Sequence, residues 1–209
     1  GSTDGLFQKI APLWTQGKSQ PSACDRAFRI FESDPLFDDP TVWRRFRLAM
    51  ANGEVGLARH LAKKFKNSSA TRWSKRWLDA DTNPQQTLRK NYLTQSDSLL
   101  AKDVLFHALK RLARANFDAA EKSWVKISQT ADLSEEALNE GNKILAIMAG
   151  KSEHKNQIFY LDQVDAEFAD ADLEALRLRR GIQLRAWDQL SRWTLGAPRS
   201  PKTNALRWR

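Results

Sequence analysis

Apolar side chains recur every three to four positions along most of this chain. Two neighbouring runs illustrate the spacing: Trp43, Phe46, Leu48 and Met50, then Val55, Leu57, Leu61 and Phe65. This is the period of an amphipathic α-helix. Between the runs lies Asn52-Gly53, and both residue types tolerate the positive φ that ends a helix. The pattern predicts two helices joined by a tight turn.

A nine-residue pattern occurs three times. It covers residues 48–56, 112–120 and 182–190, with the third copy weaker than the first two. The spacings of 64 and 70 residues are about twice the roughly 30 to 40 residues of one helical hairpin repeat. Because a hairpin of two amphipathic helices cannot bury both its faces alone, the recurrence favours an all-α solenoid of stacked helical hairpins. The alternative is an irregular helical bundle.

Residues typical of helix starts precede several of the runs. Asp39-Pro40 precedes the run from Thr41 to Ala51, and proline is tolerated in a first helical turn. Ser134 precedes two glutamates and a run that closes at Gly150. This arrangement predicts a well-defined helix of about four turns.

The chain contains no polar linker long enough to separate two domains. We therefore expect one α-helical domain over residues 1–209, in which Gly1-Ser2 resembles the remnant of a removed tag. Residues 196–201 contain the glycine and prolines of a break, and residues 205–209 have the pattern of a helix that stops early. This predicts that the sequence belongs to a larger protein.

Composition narrows the possible functions. The chain has 34 Lys and Arg against 25 Asp and Glu, a net charge of +9, and its 41% hydrophobic residues suffice for a buried core. No apolar run approaches the roughly 18 residues that would span a bilayer. Cys24 has no partner cysteine, and His60, His107 and His154 do not have the spacing of zinc ligands. The sequence predicts no disulfide, no metal site and no cofactor.

No residue pattern typical of a catalytic site occurs in the sequence. It contains no Gly-rich phosphate loop, no nucleophile elbow and no metal-binding His pair. Glu32-Ser33 has the residue types of some glycan-cleaving sites, but the Gly-rich loop that would hold a sugar does not follow. The adjacent acids Asp38-Asp39 are better interpreted as helix-start residues. We therefore expect no catalytic residue in this chain.

The strongest candidate binding cluster combines tryptophans with cations. Trp73 and Trp77 are four residues apart and share one helix face, and the neighbouring face carries Arg72, Lys75 and Arg76. Aromatic rings beside cations suit sugar faces, nucleic-acid bases or anionic polymers. The same spacing also lets a helix pack against its neighbour, and core packing is the favoured interpretation.

Two segments near the N-terminus resemble a known family. They are residues 13–28, LWTQGKSQPSACDRAF, and residues 43–57, WRRFRLAMANGEVGL. Both are similar to parts of the superhelical U-shaped domain of the soluble lytic murein transglycosylases. Residues 176–190 and 205–209 resemble a later hairpin and the start of the helix after it. From residue 66 to residue 172 the resemblance is in helical character alone.

The resemblance implies a right-handed α-superhelix from a periplasmic, peptidoglycan-cleaving enzyme. In that family the catalytic Glu lies in a separate lysozyme-like domain C-terminal to the solenoid, so no catalytic residue carries over to this chain. The implied partners are peptidoglycan glycan strands, the catalytic domain of the same parent chain and other cell-wall proteins. We expect no nucleic-acid partner and no membrane-spanning segment. A basic surface would attract the carboxylates of peptidoglycan stems.

An alternative from another functional class stays open. A basic helical-repeat adaptor of the tetratricopeptide type, binding protein or RNA in the cytoplasm, would have the same stacked helices and the same net charge of +9. RNA affinity that falls steeply with salt would favour the adaptor. Salt-sensitive binding to murein sacculi would favour the cell-wall protein.

Overall fold

The structure is a computed structural model that describes residues 3–94 and 98–196. Within these ranges the chain forms twelve α-helices, three short 3-10 turns and no β-strand. The α-helices are α1 (Thr3–Trp14), α2 (Asp25–Glu32), α3 (Asp39–Ala51), α4 (Val55–Ala62), α5 (Ser68–Thr82), α6 (Pro84–Thr87), α7 (Leu99–Ala115), α8 (Phe117–Thr130), α9 (Glu135–Lys151), α10 (Gln157–Asp162), α11 (Ala171–Leu184) and α12 (Trp187–Gly196). Gly196 of the predicted break at 196–201 is the last residue of α12. The rest of that break and the predicted helix at 205–209 lie outside the described residues.

The helices fall into two compact units along the chain. Unit 1 is Gly1–Leu78 and unit 2 is Asp79–Arg209, so the boundary lies within α5. The described residues of each unit form helices and the turns that join them, which confirms the predicted all-α fold. No helix in the described part of the chain is long and apolar enough to cross a bilayer.

Asp38 and Asp39 each accept backbone hydrogen bonds at a helix start. The Asp38 carboxylate accepts from the N–H of Thr41 at 2.9 Å, and hydrogen bonds from the side chain and backbone of Thr41 lower the pKa of Asp38. The Asp39 carboxylate accepts from the N–H groups of Lys66 and Asn67, both at 2.8 Å, just before α5. Asp38 therefore caps α3, whereas Asp39 holds the start of a second helix.

Three turns between the described helices share one backbone motif. In each, a residue with positive φ follows the helix: Gly53 (76°), Glu153 (55°) and Arg185 (55°). The next N–H then donates back across the turn, as Glu54 does to the carbonyl of Ala49 at 2.8 Å. This motif closes the carbonyl end of a helix and reverses the chain. The first predicted hairpin turn is confirmed.

The second copy of the repeated pattern turns without a glycine. Asn116 ends α7, and its side-chain oxygen accepts from the N–H of Ala119 at 3.0 Å, so the same residue also caps α8. The third copy lies at the α11–α12 turn. Each of the three copies therefore marks a helix–turn–helix connection, as the pattern predicted.

Aromatic side chains fill the core of unit 1. The ring of Trp14 lies 5.5 Å from that of Phe31 and 5.1 Å from that of Phe37. Phe46 packs 6.0 Å from Phe65. Trp14, Phe31 and Phe46 are at most 2% exposed, so large aromatic rings contribute strongly to the apolar burial that holds these short helices together.

A buried arginine connects α3 to the turn after α1. Arg45 is 5% exposed, and its guanidinium lies 4.7 Å from the centre of the Trp14 ring. Its Nε donates to the carbonyl of Gln16 at 3.2 Å, and its Nη2 donates to that of Lys18 at 3.5 Å. Burial lowers the pKa of Arg45, and the Glu32 carboxylate opposes the shift. The loop carbonyls thus satisfy a cation that water hardly reaches.

A second buried arginine connects α11 to the end of α10. Arg177 is 1% exposed and donates to the carbonyls of Leu161, at 3.0 and 2.8 Å, and of Val164. Its Nη1 lies 3.0 Å from the carboxylate of Glu174, which is itself 2% exposed. The guanidinium therefore satisfies carbonyls at the end of α10 while the carboxylate balances its charge.

The close approach of α8 and α9 in unit 2 depends on a glycine, Gly141, at the point of contact. Gly141 of α9 lies directly against the indole ring of Trp124 of α8, and a Cβ at this position would overlap that ring. Trp124 is 3% exposed, and its N–H donates to Oδ1 of Asn142 at 2.8 Å. The ring is fixed by this bond and by its burial, so it cannot easily give way.

We predict that Gly141→Ala lowers the free energy of unfolding by about 2 kcal/mol or more, because the new methyl group overpacks the site. Gly56→Ala in α4 is the matched control, since a Cβ there meets no atom within 4 Å and alanine favours a helix over glycine. Urea unfolding followed by circular dichroism measures both. Equal stability of the two variants would contradict the packing of α8 against α9.

Candidate functional site

The two tryptophans of the predicted binding cluster differ in their exposure to solvent. Both lie on α5, but Trp77 is 6% exposed whereas Trp73 is half-buried. The Trp77 ring lies 6.4 Å from that of Trp43 and 5.7 Å from that of Phe46. Trp77 is therefore a core residue of unit 1, in agreement with the favoured interpretation.

The accessible part of that cluster is Trp73 with three cations. The Arg76 guanidinium lies 4.5 Å from the centre of the Trp73 ring, and Arg72 and Lys75 are exposed. A cation over the ring occupies space that the face of a sugar would need. The cluster can attract an anion, but it offers little open ring surface to a sugar.

A pocket of about 380 Å³ in unit 1 brings together Glu32, His60 and Lys64. Glu32 Oε1 accepts from the indole N–H of Trp14 at 3.1 Å, and Oε2 accepts from Lys64 Nζ at 2.7 Å. Burial lowers the pKa of His60, and the charge of Lys64 lowers it further. Both oxygens of Glu32 therefore take part in the packing of unit 1.

A half-buried histidine and a half-buried aspartate form a pair in unit 2. His107 Nε2 lies 3.1 Å from Asp81 Oδ1, and Arg111 Nε lies 3.1 Å from the same oxygen. Burial lowers the pKa of His107 below its ordinary 6.5, although the hydrogen bond and charge of Asp81 oppose the shift. The imidazole is neutral near pH 7. Across residues 3–94 and 98–196, no three His, Cys, Asp or Glu side chains are arranged to hold a metal ion.

An open groove of about 880 Å³ lies within unit 2. One wall comes from residues 85–94, which include the end of α6 and the 3-10 turn Asn91–Leu93. The other wall is one face of α8. Leu88 and Ile127 line the groove and are themselves buried. A small apolar base thus underlies two polar walls.

The walls of this groove carry four cations and one carboxylate: Arg89, Lys90, Lys122, Lys126 and Asp118. All five side chains are exposed. Among the residues that the structure describes, none of the four cations forms an ion pair. The groove therefore presents positive charge that Asp118 balances only in part, and it is the site best suited to an anionic ligand.

The groove was missed by reasoning from the sequence. Lys122 and Lys126 are four residues apart, and this spacing could have indicated a cationic stripe on α8. Their proximity to Arg89 and Lys90 depends on how residues 85–94 pack against α8, which no local pattern reveals.

No family model matches the chain. The curated proteins that are similar to it are all soluble lytic murein transglycosylases. The soluble lytic murein transglycosylase of Salmonella typhimurium is 40% identical over 62 residues, which cover 30% of this chain and 10% of that protein. The soluble lytic murein transglycosylase of Escherichia coli is 27% identical over 146 residues, 70% of this chain and 22% of that protein. This chain is homologous to part of the soluble lytic murein transglycosylases. It spans less than a quarter of the length of these relatives.

Solved lytic transglycosylases have the same fold. The 70-kDa soluble lytic transglycosylase of Escherichia coli matches with a TM-score of 0.74 at 22% identity, over 95% of this chain and 32% of that one. An inactive mutant of the lytic transglycosylase Slt from Pseudomonas aeruginosa matches with a TM-score of 0.71 at 23% identity, over 92% and 31%. The shared fold is a helical superhelix, so the predicted fold class and the resemblance to the lytic transglycosylases are both confirmed.

We predict different costs for removing the two tryptophans of α5. Trp77→Ala should lower the free energy of unfolding by about 3–5 kcal/mol, as expected for a large buried ring. Trp73→Ala should cost about 1 kcal/mol, because the ring is half-buried and its cation contact is weak in water. Urea unfolding measures both. A larger loss of unfolding free energy for Trp73→Ala than for Trp77→Ala would show that the packing side of α5 is assigned wrongly.

Acid should destabilise the protein partly through His107. Because burial lowers its pKa in the folded state, the unfolded chain takes up a proton first as the pH falls below about 6.5. The free energy of unfolding then declines until the folded-state pKa is passed. His107→Gln should lose less stability than the wild type between pH 7.5 and pH 5, measured by urea unfolding. Parallel pH curves for the two proteins would refute this role.

Proposed function

We propose that this chain is a non-catalytic helical part of a peptidoglycan lytic transglycosylase. In this proposal it holds murein glycan strands for a catalytic domain that belongs to the same parent chain. The observation that carries the proposal is the homology to the Escherichia coli enzyme over 146 residues, joined to a common helical fold.

The charge of the chain supports a role in holding murein. Murein stems carry carboxylates, and a surface with excess positive charge raises the local concentration of such a polymer. The groove of unit 2 concentrates four cations around one carboxylate. Trp73, with the exposed Arg72 and Lys75 beside it, is a second and smaller candidate contact.

The proposal places the protein in the periplasm, where murein lies. Its partners are the glycan strands, the catalytic domain of the parent chain and other cell-wall proteins, and residues 1–209 act as one helical domain. The rival proposal of a basic adaptor for protein or RNA draws on the same net charge of +9. The homology to murein enzymes favours the cell-wall role.

Co-sedimentation with purified sacculi tests this function. We predict that the chain pellets with sacculi at low salt and is released as the salt concentration rises, because screening weakens exposed charge contacts. The sacculi should release no anhydro-muropeptides into the supernatant during the incubation, as measured by chromatography and mass spectrometry.

Two results would overturn the proposal. Release of anhydro-muropeptides would show that the chain itself cleaves murein. A chain that stays in the supernatant with sacculi, yet binds single-stranded RNA with a steep salt dependence, would favour the adaptor.

A further inference from the structure

The lining of the unit 2 groove lacks the side chains that suit a neutral sugar. None of the described residues that line the groove is a Trp, Tyr, Phe or His, and Tyr92, although it belongs to segment 85–94, is not among the lining residues. A pyranose has an apolar face of C–H groups, and an aromatic ring is the usual surface against which such a face is buried. The groove lining therefore offers no aromatic surface against which the apolar face of a sugar could pack.

The cations of the groove are arranged on both walls. Lys122 and Lys126 are separated by about 6 Å along α8, the rise of four helical residues. Arg89 and Lys90 come from the opposite wall. Hydrogen bonds from cations to carboxylates are about twice as strong as those between neutral groups, and one guanidinium can hold both oxygens of a carboxylate. A ligand with more than one carboxylate could contact both walls at once.

Neutral polar groups lie between these cations. The hydroxyl groups of Thr94 and Ser123 donate to the backbone carbonyls of Asn91 and Ala119, which leaves their oxygens able to accept. The Asn116 side-chain oxygen already accepts a hydrogen bond from the N–H of Ala119 in α8. Its NH₂ group is therefore the part of this side chain that can donate to a ligand. Peptide groups, which carry one donor and one acceptor each, match this mixture.

We propose that the groove formed by residues 85–94 and α8 binds the carboxylate-bearing stem peptides of murein and does not bind its sugar chain. This inference rests on the proposed function, because it names the part of murein that the protein holds. It assigns Lys122, Lys126, Arg89 and Lys90 as the groups that contact the stem carboxylates.

Three soluble ligands separate the peptide from the sugar. The first is a disaccharide–peptide released from sacculi by a muramidase, the second is the same molecule with its carboxylates converted to amides, and the third is a chitin oligosaccharide, which has no peptide. Titration calorimetry at low salt should detect binding of the first. Amidation should weaken binding at least tenfold, and the chitin oligosaccharide should not bind.

A pair of double variants locates the site. Lys122→Gln with Lys126→Gln removes two groove cations and should weaken binding of the disaccharide–peptide at least tenfold. Lys110→Gln with Arg114→Gln is the matched control, because these exposed residues are also four apart on a helix of unit 2, and neither lines the groove. It should change affinity less than twofold. Circular dichroism and thermal unfolding verify that both variants fold.

The outcomes distinguish this inference from the proposed function. Equal binding of the amidated ligand would show that the stem carboxylates are not recognised, and binding of the chitin oligosaccharide would show that sugar is recognised. Either result would overturn the inference. An equal loss in both double variants would assign the effect to net charge and would overturn the site. If the chain pellets with sacculi but the groove variant pellets equally well, the proposed function stands and the groove assignment fails. If the wild-type chain does not pellet at all, the proposed function itself fails.

Discussion

Burial of one guanidinium group in each unit constrains the arrangement of the described helices. Arg45 in unit 1 and Arg177 in unit 2 are almost inaccessible to water. Each must have its donors satisfied, and both satisfy them with loop or helix-end carbonyls. Removing Arg177 would leave the buried carbonyls of Leu161 and Val164 without its donors.

The one-sided burial of the helices also matters for function. Short helical hairpins bury only one side of each helix, so the other side is available for charge. In unit 2, α8 packs Trp124 inward and presents Lys122 and Lys126 outward into the groove. The segment that follows α6 adds Arg89 and Lys90. The same packing that fixes the core therefore sets the position of the charged walls.

Local features of the sequence were enough to predict several of the helices and the turns of the repeated pattern. Gly53 and Asn116 occur where the chain reverses, and Ser134 caps α9 through its side-chain oxygen. Each of these effects involves residues only a few positions apart. Periodicity was less reliable for burial, since α3 buries Arg45 and leaves Leu48 42% exposed. Contacts between distant segments decide such cases, and the groove was missed for the same reason.

The most direct test of the account is an amide chemical-shift map of the isotope-labelled chain titrated with solubilised murein fragments that retain their stem peptides. The account predicts the largest shifts in residues 88–91 and 116–127, with the turn at Gly53 unchanged. Shifts confined to the neighbourhood of Trp73, or spread evenly over exposed cations in both units, would contradict it.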